Sequence, residues 1–134
     1  SGNMLSVKLF CPLYPSEDPD KVKAAILNIF PDAKLEVSSD RVEGITDNLK
    51  KFAVQIRKQE ILDTTRALLL KGMRGGTNRT VVHLNKQVAF MGLISFSEER
   101  TVLGTIRVTI ENNELETLIQ NVAPETVDGK EVLI

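Results

Sequence analysis

From Leu5 the chain alternates apolar and polar positions, with Leu5, Val7, Leu9 and Cys11 on one side. This predicts a strand that Pro12 and Pro15 end on either side of Tyr14. Asp18-Pro19 supplies an N-cap followed by proline at the first helical position, where a missing N–H costs nothing. Val22, Ala25, Ile26 and Ile29 then recur at three- and four-residue spacing, so an amphipathic helix runs toward Pro31. Lys34–Val37 and Arg41–Thr46 flank the turn Ser38-Ser39-Asp40 and predict a hairpin, with Leu35 and Val37 inward and Gly44 at a candidate bulge.

Asp47 to Leu70 is helical in character, but its apolar stripe does not hold. Leu49, Phe52, Ala53 and Ile56 share one side, and continuing that side would bury Glu60 and Asp63. The stripe resumes with Ile61, Leu62, Leu68 and Leu69 on roughly the opposite side. Either the helix breaks near Arg57–Glu60, or one long helix is buried on different faces at its two ends; the break is the expectation. Gly72 to Asn78 is a loop by composition, and Arg79–Leu84 a strand. Asn85–Phe90 is a short turn or helical segment, followed by strands at Gly92–Ser97 and Thr105–Ile110. Asn112 or Asn113 caps a last helix carrying Leu115, Leu118, Ile119 and Val122, which Pro124 ends. The element order predicts an α+β fold, a largely antiparallel mixed sheet with helices packed on one face.

At 134 residues the chain has room for one core. Ser1-Gly2-Asn3 has the look of a cloning scar ahead of Met4, residues 4–124 form the expected domain, and residues 125–134 a tail in which Val132-Leu133-Ile134 is sticky enough to dock. With 42% hydrophobic and 26% charged residues the composition is that of a globular protein, not a disordered chain. The longest apolar runs, such as Ala67–Leu70 and Val88–Met91, fall far short of the roughly 20 residues a membrane helix needs. With no secretory signal pattern and a lone Cys11, a cytoplasmic protein without membrane association is expected.

Charge changes the picture more than composition does. The net formal charge is −1, yet residues 1–49 carry a net −3, residues 50–79 a net +6 and residues 80–134 a net −4. Lys50, Lys51, Arg57, Lys58, Arg66, Lys71, Arg74 and Arg79 form that central cluster. It is either an electrostatic footprint for phosphates or a solvated helix face with local ion pairs such as Asp63–Arg66. The Gly72–Arg79 loop offers backbone N–H groups and two arginines to a phosphate, or is a connector that needs glycine; it lacks the ending of a nucleotide P-loop. Asn85, Lys86 and Gln87 place two amides and an amine before an apolar segment, suited to base edges and a phosphate, unless Asn85 merely caps the turn. His83, the only histidine, has no triad partner at a motif spacing, and one His with one Cys makes no metal cluster. Asp63 is expected in a structural pair with Arg66 or Arg57.

Three segments carry a family resemblance: Tyr14-Pro15-Ser16-Glu17, Arg57-Lys58-Gln59-Glu60-Ile61-Leu62-Asp63-Thr64-Thr65-Arg66, and Leu84-Asn85-Lys86-Gln87-Val88-Ala89-Phe90-Met91-Gly92. Together they resemble a small archaeal family described as an RNA-binding domain, over about Leu5 to Pro124. The resemblance implies a fold like that of the 5S-RNA-binding ribosomal protein of the large subunit. Some members of that family are joined to a nucleotide-kinase-like domain. The expected function is RNA binding without catalysis, with no cofactor or metal. The alternative is an interaction or regulatory module associated with a nucleotide kinase, for which a homodimer is allowed.

Overall fold

Alternation along the first strand decides which side of the sheet becomes the core. The computed structural model describes residues 5–73, 78–97, 104–127 and 130–131. In it β1 (Ser6–Pro12) buries Val7, Leu9 and Cys11 and turns Ser6, Lys8 and Phe10 the other way. This strand is central. It pairs antiparallel with β3 (Arg41–Thr46) on one side and β5 (Thr105–Glu111) on the other. β2 (Lys34–Val37) and β4 (Arg79–Asn85) are the outer strands, so the order is β2-β3-β1-β5-β4 and every pairing is antiparallel. Leu35, Gly44, Leu9, Val108 and Val82 form one cross-strand row. The ladder runs through Gly44 without a bulge. The glycine is there because the Leu35 side chain lies where a Cβ would go.

The helices cover the face that carries this row. α1 (Pro19–Ile29) starts at Asp18, whose carboxylate accepts from the Asp20 N–H at 2.9 Å, and buries Val22, Ala25, Ile26 and Ile29. α2 (Lys50–Lys58) buries Phe52 and Ile56, and the Phe52 ring stacks on Phe30 with centroids 6.0 Å apart. The expected break is present: α2 ends at Lys58, Glu60 takes φ 57°, and α3 (Leu62–Lys71) begins on a new face. Because of that break Leu62, Thr65 and Leu69 are buried while Glu60 and Asp63 stay in solvent, which removes the conflict in the stripe. A short α4 (Lys86–Ala89) follows β4 directly. α5 (Leu115–Val122) buries Leu115, Ile119 and Val122; Asn112 Oδ1 accepts from the Glu114 N–H at 2.7 Å just before it.

The structure also corrects the sequence reading between α4 and β5. The expected strand at 92–97 is absent: Gly92 turns with φ 75°, and only Phe96 bridges to Leu84. The reason lies on another element. Gln59 Oε1 accepts from the Ile94 N–H at 2.8 Å, and Gln59 Nε2 donates to the Ile94 carbonyl at 2.7 Å, so a side-chain amide takes the groups a neighbouring strand would have used. In the tail, β6 (Thr126–Val127) pairs antiparallel with β7 (Lys130–Glu131), and Val132-Leu133-Ile134 lie outside the described residues. No described helix is long and apolar enough to cross a membrane.

Candidate nucleic-acid interface

The basic residues of the central cluster divide by environment. Arg57 points inward and donates to three carbonyls, those of Ala53 (2.9 Å), Val122 (3.0 Å) and Asn121 (3.2 Å). The last two close the carboxyl end of α5, where a cation is favoured by the helix dipole. Arg66 is half-buried and pairs with Glu125 at 3.1 Å. Among the described residues Asp63 is held not by Arg66 or Arg57, as expected, but by Thr126, whose hydroxyl its carboxylate accepts from at 2.7 and 2.8 Å. The chain after Pro124 returns over α3, and its carboxylate and hydroxyl displace the pairing within the helix. Lys50, Lys51, Lys58, Lys71 and Arg79 are exposed, and none makes an ion pair among the described residues. Lys50 and Lys51 stand about two turns, or roughly 12 Å, from Lys58 along α2. Lys71 ends α3 and Arg79 begins β4, two elements joined where the Gly72 carbonyl accepts from the Val81 N–H at 3.4 Å. Arg74 lies outside the described residues.

Gly72 is explained by packing. A Cβ there would collide with the Val81 carbonyl and the Thr80 hydroxyl, which itself donates to the Leu69 carbonyl at 2.5 Å. Close approach of α3 to β4 thus demands the glycine at this end of the loop.

Lys86, expected at an RNA phosphate, is placed in the interior. Its side chain is 1% exposed, and Nζ donates to the Pro12 carbonyl at 2.8 Å and to the Glu17 carboxylate at 3.0 and 3.2 Å. It also lies 5.4 Å from the Tyr14 ring centroid. Glu17 in turn accepts from the Tyr14 N–H at 2.9 Å. The Cys11 thiol beside this pair is pushed up to about 11 by burial, with the nearby Lys86 ammonium opposing the rise. Asn85 is the cap of α4, its Oδ1 accepting from the Val88 N–H at 3.0 Å; Gln87 is exposed. Among the described residues no group of three or more His, Cys, Asp or Glu could hold a metal ion.

The opposite face of the sheet was missed by sequence reasoning. Register puts Glu36, Glu43, Phe10, Arg107 and His83 in one row, and Lys34, Ile45, Lys8, Thr109 and Val81 in the next. The strand residues of the core all belong to the other face, as do the helices packed on them. Phe10 is only half-buried and is not part of the core; the Arg107 guanidinium sits 4.7 Å from its ring centroid. Lys8 pairs with Glu111 at 3.3 Å, and Arg41 with Glu43 and Asp40. Lys8, Lys34, Arg41, Arg79 and Arg107 on this face outnumber Glu36, Glu43 and Glu111, leaving it net positive in a chain of net −1. The signal in the sequence was an aromatic on the polar side of an alternating strand.

Comparison with known proteins sets these surfaces in a family. A family model described as RNA binding matches residues 6–112, from the start of β1 to just past the end of β5. A UPF0200/UPF0201 protein of Archaeoglobus fulgidus is 40% identical over 131 residues; the match covers 96% of this chain but only 40% of that relative's length. A UPF0201 protein of Methanothermobacter thermautotrophicus is 38% identical over 125 residues, covering 91% of this chain and 93% of its own. The crystal structure of a UPF0201 protein from Methanococcus jannaschii superposes with a TM-score of 0.86 at 36% identity, over 96% of this chain and 99% of that one. Shared sequence and shared fold agree across the sheet and its helices: the chain belongs to the family described as RNA binding, whose archaeal relatives bear the name UPF0201.

Proposed function

We propose that this protein binds RNA without catalysing a reaction on it, and that Lys50, Lys51, Lys58, Lys71 and Arg79 contact phosphates. The observation that carries the reading is the RNA-binding family pattern over residues 6–112. The exposure of these five cations, with no carboxylate partner among the described residues, supports the choice of contacts. Arg57, Arg66 and Lys86 are left out because their charge is engaged within the fold. Gln87 is exposed and available to a base edge. The test is affinity for single-stranded RNA as salt rises, where the slope of log affinity against log salt is about −0.7 per phosphate neutralised. Replacing Lys50, Lys51 and Lys58 with Gln should flatten the slope by about two, while Lys21→Ala/Lys23→Ala on α1 leaves it unchanged. Absence of salt-sensitive binding refutes the proposal.

A second reading, an interaction or regulatory module, is favoured by the Archaeoglobus relative, in which the matching region is 40% of the length. The family resemblance implies a nucleotide-kinase-like partner. Complex formation with the remainder of that relative, expressed separately, tests it.

A further inference from the structure

We infer that the open face of the sheet is a stacking platform for the bases of single-stranded RNA. Phe10 and the Arg107 guanidinium are the stacking pair, and Lys8 and Arg79 are the phosphate contacts beside it. This rests on the reading of the chain as an RNA binder, and adds to it a second surface and a preference for unpaired strands. Bases stack on aromatic rings and on guanidinium planes whatever their sequence, because every base has a π-face. Phe10 and Arg107 are directly opposite on β1 and β5, already 4.7 Å apart, and half-buried Phe10 takes no part in the core on the other side of the sheet. Arg107 has no carboxylate partner among the described residues. With strands about 4.8 Å apart, the row Phe10–Arg107–His83 offers a path roughly 10 Å wide.

Charge selects the occupant. Along β1, β5 and β4 the cations Lys8, Arg107 and Arg79 face Glu111 alone. Such a face attracts a polyanion and repels a second copy of itself. Lys8 and Glu111 are both exposed, so exchanging that pair for a phosphate contact forfeits little. Arg79 begins β4, and the bond from the Val81 N–H to the Gly72 carbonyl brings the end of α3, which carries Lys71, to that strand.

The test uses the full chain, a labelled single-stranded oligoribonucleotide of mixed sequence, and the duplex of the same sequence. Phe10→Leu should weaken single-strand binding about tenfold with an unchanged salt slope, since stacking releases no counterions. Phe10→Tyr should retain affinity, and Lys8→Ala/Arg79→Ala should flatten the slope. Duplex binding should not respond to Phe10→Leu. Ultraviolet crosslinking of the unsubstituted chain, read by mass spectrometry, should place bases on β1 and β5, and does not depend on how the variants fold. RNA binding that ignores both Phe10→Leu and Arg107→Gln, with crosslinks confined to α2, overturns the platform and leaves the RNA reading standing. Loss of a concentration-dependent dimer in Phe10→Leu, with RNA affinity unchanged, assigns the face to a second copy and overturns it too. No RNA bound by the unsubstituted chain removes the reading beneath both.

Discussion

Glu17→Gln changes little in shape and removes the counter-charge of an ammonium that is 1% exposed. Nζ of Lys86 would keep the Pro12 carbonyl at 2.8 Å and lose the carboxylate at 3.0 Å. Removing one partner of a buried ion pair costs about 3–5 kcal/mol, because the other charge is left uncompensated. The Glu17 side chain is 20% exposed, so water reaches one side of the pair and the lower end, about 3 kcal/mol, is expected. For a domain of this size that corresponds to a fall in Tm of about 10 °C. Lys86→Met should cost a similar amount, since it orphans both the carboxylate and the Pro12 carbonyl. The double variant should recover part of the loss, with a coupling of at least about 1 kcal/mol. Thermal and urea unfolding followed by circular dichroism give the four corners of the cycle. Repeating it at high salt is informative because a buried pair, unlike a surface one, is little screened. Additive losses, or single variants that shift Tm by less than about 2 °C, would refute the assignment of Glu17 and Lys86 as a buried clamp.

Gln59→Ala strips the Ile94 N–H and C=O of their partners and should destabilise the protein by about 2 kcal/mol; amide exchange at Ile94 should accelerate, and continued protection there would sink the account of why 92–94 is no strand. The Cys11 thiol, with its pKa raised from 9.0 to about 11 by burial, should resist alkylation in the native protein at neutral pH and react only as the chain unfolds. The unfolded thiol ionises first, so the stability it contributes is complete below pH 9.0 and is lost as pH rises toward about 11, by at most about 1.4 kcal/mol per pH unit. A Cys11→Ala chain with the same alkaline loss would contradict this.

What could be read from the sequence was what short-range chemistry decides. The Asp18-Pro19 start of α1 needed only its own neighbours, and the stripe that failed at Glu60 located the α2–α3 break because burying two carboxylates is costly. The left-handed backbone at Glu60 had no such signal, since glutamate is not a residue that announces it. Apolar Leu93 and Ile94 looked like strand residues; what decided otherwise was an amide 35 positions earlier in the chain. Lys86 looked like a phosphate contact because its counter-charge is 69 positions away. The segments that carry the family resemblance meet in these contacts: Tyr14–Glu17 receives Lys86, and Gln59 holds the turn after α4. Much of what marks the family is therefore structural. The surfaces proposed to meet RNA are the exposed lysines and the open sheet face, whose side chains a pattern search passes over as ordinary solvent residues.

The central place of β1 also shapes the order in which the molecule is built. This strand is the first of the described elements, and of its two neighbours β3 follows within a short span while Val7 and Ile110 are roughly a hundred residues apart. During synthesis the β2–β3 hairpin can add β1 alongside β3 as a small three-stranded sheet under α1, but one edge of β1 stays unpaired until β5 emerges. Until then Leu9 and Phe10 stand on an open strand edge, where Lys8 directly before them is a charge that discourages pairing with a stray strand. The last long strand to be made is thus the one that closes the sheet through its middle, and the two halves of the domain become a single cooperative unit only when it docks.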